Sequence, residues 1–74
     1  MTMTANEALD QYIGELRRQN PLEARKKVKE IRVACDISRD VYQNWRRGRT
    51  PIRKLQRREI TRILGVDLFN NVTD

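Results

Sequence analysis

Arg39, Asp40, Gln43, Asn44 and Arg47 fall within nine residues of one another, and on a helix they share one side. At about 100° per residue, Val41, Tyr42 and Trp45 occupy an arc of roughly 100° on the other side. A helix pinned by that apolar stripe holds out a row of hydrogen-bond donors and acceptors. Arg, Asn and Gln are the side chains that pair bidentately with base edges, and a DNA major groove is wide enough to admit a helix. Ser38 stands before the run and is expected to cap the helix by accepting from the N–H of Asp40 or Val41. Gly48 is the natural left-handed residue to end it.

Other chemistries lack their parts. With one cysteine and no histidine, the chain cannot close an internal disulfide or assemble a Cys/His zinc set. Cys35 reads as a small core residue, since a nucleophilic thiol would need a histidine partner. The carboxylates are scattered over short helices that offer no cleft for general acid–base work. No catalytic residue, metal or cofactor is expected. The opening MTMTANEALDQYIGELRRQN has neither a long apolar run nor a basic leader, so the expectation is a cytoplasmic protein with no membrane partner.

Seventy-four residues suffice for one small domain. The net charge of +6 is unevenly spread, because Arg25 to Arg58 holds thirteen Lys or Arg against Glu30, Asp36 and Asp40. That excess suits a polyanion, although a basic run by itself is more often a solvated face. Three partners remain open on charge alone: duplex DNA, an acidic protein met by a basic interaction or nucleoprotein accessory module, and RNA. Duplex RNA is the weakest of these, because its deep major groove does not admit a helix.

The elements that must position the outward row follow from periodicity. Ala5, Leu9, Tyr12, Ile13 and Leu16 predict an amphipathic helix from Glu7 to about Arg18, with Asn6 as its cap and residues 1–4 frayed. Asn20 and Pro21 start a second helix, whose Ala24, Val28, Ile31 and Cys35 form a narrow inner stripe amid lysines and arginines. Asp36 closes it and Ile37 tucks under the turn. After the third helix, Thr50 and Pro51 are expected to open a fourth, with Ile52, Leu55, Glu59, Ile60, Ile63 and Leu64 tracing its inner face up to Gly65. Val66, Leu68 and Phe69 should fold back as a lid, leaving residues 70–74 as a tail. The fold class is all-α, a small bundle of four or five helices in a single domain spanning residues 1–74.

The run DISRDVYQNWRRGRTPI, followed by ILGVDLF, resembles the phage-repressor-type helix-turn-helix family, the Cro and lambda-repressor-like or XRE-type domains. Their usual pattern is a residue pair such as Ala-Gly, then Ile-Ser-x-x-x-Ile/Val-x-x-Trp-x-x-Gly, closing with Leu-Gly-Val and a Leu/Phe pair. Here Cys35-Asp36, Ile37-Ser38, Tyr42, Trp45, Gly48, Leu64-Gly65-Val66 and Leu68-Phe69 match it. The likeness runs from about Val28 to Phe69 and places the helix-turn-helix at about 21–48. It departs where the family has a turn glycine, here Asp36, and where it has a small alanine, here Arg32. The Arg32 stem is expected to lie along the helix pair with its head in solvent.

The resemblance implies a double-stranded DNA-binding regulator of transcription, a repressor of bacteriophage or mobile-element type. It would work in the bacterial nucleoid or in a host cytoplasm. Carried over residue by residue, the base-reading positions are Ser38, Arg39, Asp40, Gln43, Asn44 and Arg47. The phosphate contacts fall on Lys29 with Arg25 or Lys26, then on Arg49 and Arg53. A homodimer, joined through the first helix or the Val66–Phe69 segment, would supply the two half-sites that tight specificity usually requires.

Overall fold

Thr4 starts the first helix. Its hydroxyl accepts from the Glu7 N–H at 3.1 Å while the Glu7 carboxylate accepts from the Thr4 N–H at 3.0 Å, a reciprocal capping box. The computed structural model describes residues 3–72, and the helix, α1, runs Ala5–Gln19. It opens two residues ahead of Glu7, where the apolar periodicity alone had placed its start. Asn6 is therefore not the cap but lies in the first turn, 7% exposed. Its side-chain N–H groups donate to the carbonyls of Trp45 at 3.0 Å and Thr50 at 2.7 Å. Thr4, expected to fray, is engaged in the cap; the first two residues of that segment lie outside the described residues.

Asn20 ends one helix and begins the next. Its N–H donates to the Leu16 carbonyl at 2.7 Å, and its side chain accepts from the Glu23 N–H at 3.2 Å. Pro21 then fills the first position of α2, Pro21–Cys35, where its missing N–H is not needed. Ala24 and Ile31 are buried on the expected stripe, and Val28 and Cys35 are half-buried along it. Three residues later α3 runs Arg39–Arg46, capped by Ser38, whose hydroxyl accepts from the Val41 N–H at 3.2 Å. Tyr42 and Trp45 are buried, and Val41 and Ile37 pack against the same core.

The fourth helix begins later than Thr50-Pro51 suggests. α4 is Lys54–Leu64, with Arg53 as its cap residue and the Gln56 side chain accepting from the Arg53 N–H at 3.0 Å. Residues 51–53 stay outside the helix, with the Thr50 carbonyl held by Asn6, Ile52 buried at 1% exposure as a core residue in its own right and Arg53 extended at φ -78°, ψ 161°. That shift turns Leu55, expected inside, out to solvent at 74% exposure. Ile60 and Ile63 face inward, and Glu59 pairs with Arg62. Lys27 of α2 donates to the Ile63 carbonyl at 3.1 Å, placing a cation at the negative end of α4.

Gly65, at φ 73°, ends α4. Leu68 and Phe69 pack against the core as the expected lid, joined by Val72 from the segment expected to be a tail, whereas Val66 is exposed. The result is an all-α bundle of four helices among the described residues, with α1 against α2 and α3, and α2 against α4. A fifth helix, allowed for by the expectation of four or five, does not occur among the described residues. One cluster joins Leu9 and Ile13 of α1, Ile31 of α2, Trp45 of α3, Ile52, and Ile60 of α4.

Trp45, 1% exposed, is the largest fully buried side chain. Trp45→Ala is expected to cost about 3–5 kcal/mol, most of a small domain's stability. A thermal midpoint lowered by only a few degrees would show that the indole does not hold the helices together. Asn6→Ala leaves the Thr50 carbonyl without its donor and the Trp45 carbonyl with only the N–H groups that close α3, and should cost about 1–3 kcal/mol in denaturant unfolding.

Candidate nucleic-acid interface

Both ends of the segment that connects α2 to α3 and closes α3 are fixed by the same hydrogen-bond pattern. At the end of α2, the N–H of Asp36 donates to the Val33 carbonyl at 3.2 Å and that of Ile37 to the Arg32 carbonyl at 3.0 Å. At the end of α3, the N–H of Gly48 donates to the Trp45 carbonyl at 3.1 Å and that of Arg49 to the Asn44 carbonyl at 2.9 Å. These are Schellman closures, each needing one residue at positive φ. Gly48 supplies it at φ 75° and Asp36 at φ 52°, the latter without glycine's freedom but with a short polar side chain that tolerates the conformation.

So framed, α3 turns Ser38, Arg39, Asp40, Gln43 and Arg47 outward, while Asn44 is half-buried. The Gln43 and Asn44 amide groups make no hydrogen bond to another described residue. Arg39, Gln43 and Arg47 line an open groove of about 900 Å³ bounded by α1, α2 and α3, and Arg25 and Lys29 of α2 line it too. Five of the residues selected from sequence are thus brought to one surface. Ser38, Asp40 and Asn44 lie outside that groove. Lys26 lines a separate, shallower depression with Val33, Arg62 and Ile63. Arg49 and Arg53 lie exposed in and at the end of the α3–α4 connection.

Sequence reasoning missed three cations here. Arg17, in the last turn of α1, enters the groove only because the α1–α3 packing brings it there. Arg32 lines the groove instead of extending freely into solvent, and its Nε is buried without a hydrogen-bond partner. Arg46 is half-buried, paired with Asp10 of α1, and it donates to the Tyr42 hydroxyl at 3.2 Å while lying 5.9 Å from the Tyr42 ring centroid. Burial disfavours the Arg46 charge, but those hydrogen bonds outweigh it and raise its pKa above the usual guanidinium value. The i, i+4 spacing of Tyr42 and Arg46 was a legible signal; Asp10, from a distant helix, was not.

Electrostatically the surface is nearly one-signed. Among the described residues, Arg17, Arg25, Lys29, Arg32, Arg39 and Arg47 form no ion pair, and Asp10, the one carboxylate in the groove, is already held by Arg46. Such an uncompensated array attracts a polyanion and resists closing on itself. Burial, and then Glu59, push the Cys35 thiol pKa up, so it stays protonated and poorly nucleophilic. No group of three or more potential ligands able to hold a metal occurs among the described residues. No helix among them is long and apolar enough to cross a membrane. No family model matches the chain, and neither curated proteins nor solved structures give a significant match.

Burial raises the Tyr42 pKa above the ordinary tyrosine value of about 10, and the cations Arg46 and Arg17 only partly oppose it. The folded state therefore holds the phenolic proton more tightly than the unfolded chain does. Its stabilisation is complete below about pH 10 and is lost as pH rises through the raised folded value. In a Tyr12→Phe background, near-ultraviolet titration should show the remaining tyrosine ionising above the free amino acid. Ionisation at the free value would contradict the burial of Tyr42.

Proposed function

We propose that this chain binds double-stranded DNA by laying α3 in the major groove and reading sequence from its outward face, as a transcription regulator of phage or mobile-element type. The observation that carries the reading is the coincidence of two independent properties on one surface. The side chains suited to base edges, Arg39, Gln43 and Arg47, share a groove with the unpaired cations Arg25 and Lys29 of the preceding helix. Base readers and phosphate-neutralising charges must be adjacent in just this way, because phosphate contacts set the register in which a helix can read.

In this arrangement Gln43 and Arg47 lie one turn apart on α3 and its cap, with Asn44 beside them. Arg39 stands at the helix start. Arg pairs best with guanine and Asn or Gln with adenine, so the preferred site contains both. Asp40 accepts from a cytosine amino group or orients a neighbouring arginine. Lys29 and Arg25 contact phosphates on one side of the reading helix, and Arg49 and Arg53 on the other. Ser38 holds the helix start and lies close to the same base edges. Two copies of the chain would read two half-sites.

Binding selection on a randomised duplex library tests the base-reading assignment. Gln43→Ala, Asn44→Ala and Arg47→Ala should each cost about 1–3 kcal/mol on the preferred site and leave random duplex nearly unaffected. If the variants enrich the same motif as strongly as the parent, α3 does not read bases. Neutralising Lys29, Arg49 or Arg53 should weaken all duplexes alike and lower the salt slope by about one unit. A loss confined to one sequence would instead assign that residue to base reading.

A further inference from the structure

The Arg32 backbone closes α2, but its guanidinium has no partner among the described residues. Its Nε is sealed from water with no hydrogen-bond partner, and the side chain forms no ion pair among the described residues. A buried donor left unsatisfied is destabilising, and the Arg32 side chain lines the groove together with the like charges Arg17, Arg25, Lys29 and Arg39. An apolar side chain of similar volume would serve the packing between α2 and its neighbours at least as well. The terminal nitrogens of the same guanidinium are not sealed and reach the groove, so a multivalent oxyanion entering it meets them first, and a swing of the planar head toward that anion brings Nε–H into a two-oxygen contact.

We propose that Arg32 is a pre-positioned phosphate clamp, and that the groove between α1, α2 and α3 receives a backbone phosphate of bound DNA with Arg17 and Lys29 as the flanking charges. The inference rests on the DNA-binding reading above and deepens it by adding Arg32 and Arg17 to the contact set. Two features favour a nucleic-acid backbone over a free anion. The groove, at about 900 Å³, is open and far larger than one phosphate group fills. It is also continuous with the outward face of α3, since Arg39, Gln43 and Arg47 belong to both. A strand flanking the bases under α3 passes over it.

The test uses the full chain, with Arg32→Met as the informative variant because methionine keeps the volume and helix propensity while removing every donor. Affinity for a random-sequence duplex is measured over a salt series for the parent, Arg32→Met, Arg32→Lys and Arg58→Met, the last removing an exposed α4 cation that lines neither the groove nor the shallower depression. Arg32→Met is expected to melt at or above the parent's temperature while its salt slope falls by about one unit. Arg32→Lys should keep the slope, and Arg58→Met should match the parent.

An unchanged slope in Arg32→Met, or an equal drop in Arg58→Met, overturns the clamp while leaving DNA binding intact. A parent that binds no duplex at any salt concentration overturns the DNA reading itself. The Arg32 Nε–H resonance, followed by nitrogen–proton correlation, should shift on adding duplex. A shift with inorganic pyrophosphate but not with duplex would mark the groove as a site for a free polyphosphate and overturn the backbone assignment.

Discussion

The side-chain amide of Asn6 joins the first turn of α1 to the carbonyls of Trp45 and Thr50, and much of the bundle's geometry follows from that one pair of hydrogen bonds. The Trp45 carbonyl is also where the Gly48 N–H closes α3, so the amide and the Schellman turn converge on one oxygen. Holding the Thr50 carbonyl at the bend after α3 accompanies the non-helical course of residues 51–53 and the burial of Ile52. Buried polar groups must be paired, and a single amide with two donors serves the Thr50 carbonyl and a second lone pair of the Trp45 carbonyl at once. The orientation of α3, and with it every outward residue, is referred back to the N-terminus of the chain.

Around that fixed point, charge is segregated by purpose. Ion pairs are placed where helices meet or where a helix stabilises itself: Arg46 with Asp10 between α3 and α1, Arg18 with Glu15 within α1, Lys27 with Glu23 within α2, and Arg62 with Glu59 within α4. Apart from Arg46, the groove cations are left without such partners among the described residues. Arg46 is instructive because it sits beside Arg47 in sequence yet is consumed by Asp10 and Tyr42, while Arg47 faces outward. One helical step separates an arginine that holds the bundle from an arginine available to a ligand.

Features set by local chemistry were legible in the sequence. Asn20-Pro21, Ser38 and Gly65 mark helix ends because caps and left-handed stops act over a few residues, and the Val41, Tyr42, Trp45 stripe has a period that only a helix satisfies. Features set by distant partners were not. Asn6 reads as a cap from its neighbours and becomes a tertiary clamp only because Trp45 and Thr50 arrive beside it. Leu55 reads as core from spacing, and is exposed because the buried residue just before α4 is Ile52. At the candidate interface, Arg39, Gln43 and Arg47 were visible as one helical face, but Arg17 and Arg32 join them only through packing between helices.

The sequence separation of the Asn6 contacts also orders events in time. α1 and α2 meet across the single residue Asn20, so their pairing is a local hairpin that forms quickly. The amide clamp instead spans from residue 6 to residues 45 and 50, and that loop must close before α3 is fixed. During synthesis the N-terminal hairpin can assemble while α3 is still within the ribosome, but the clamp must wait for Thr50 to emerge. The cationic groove, which needs all three helices, is completed only at that late step, so a nascent or truncated chain carries the charges without the surface that arranges them.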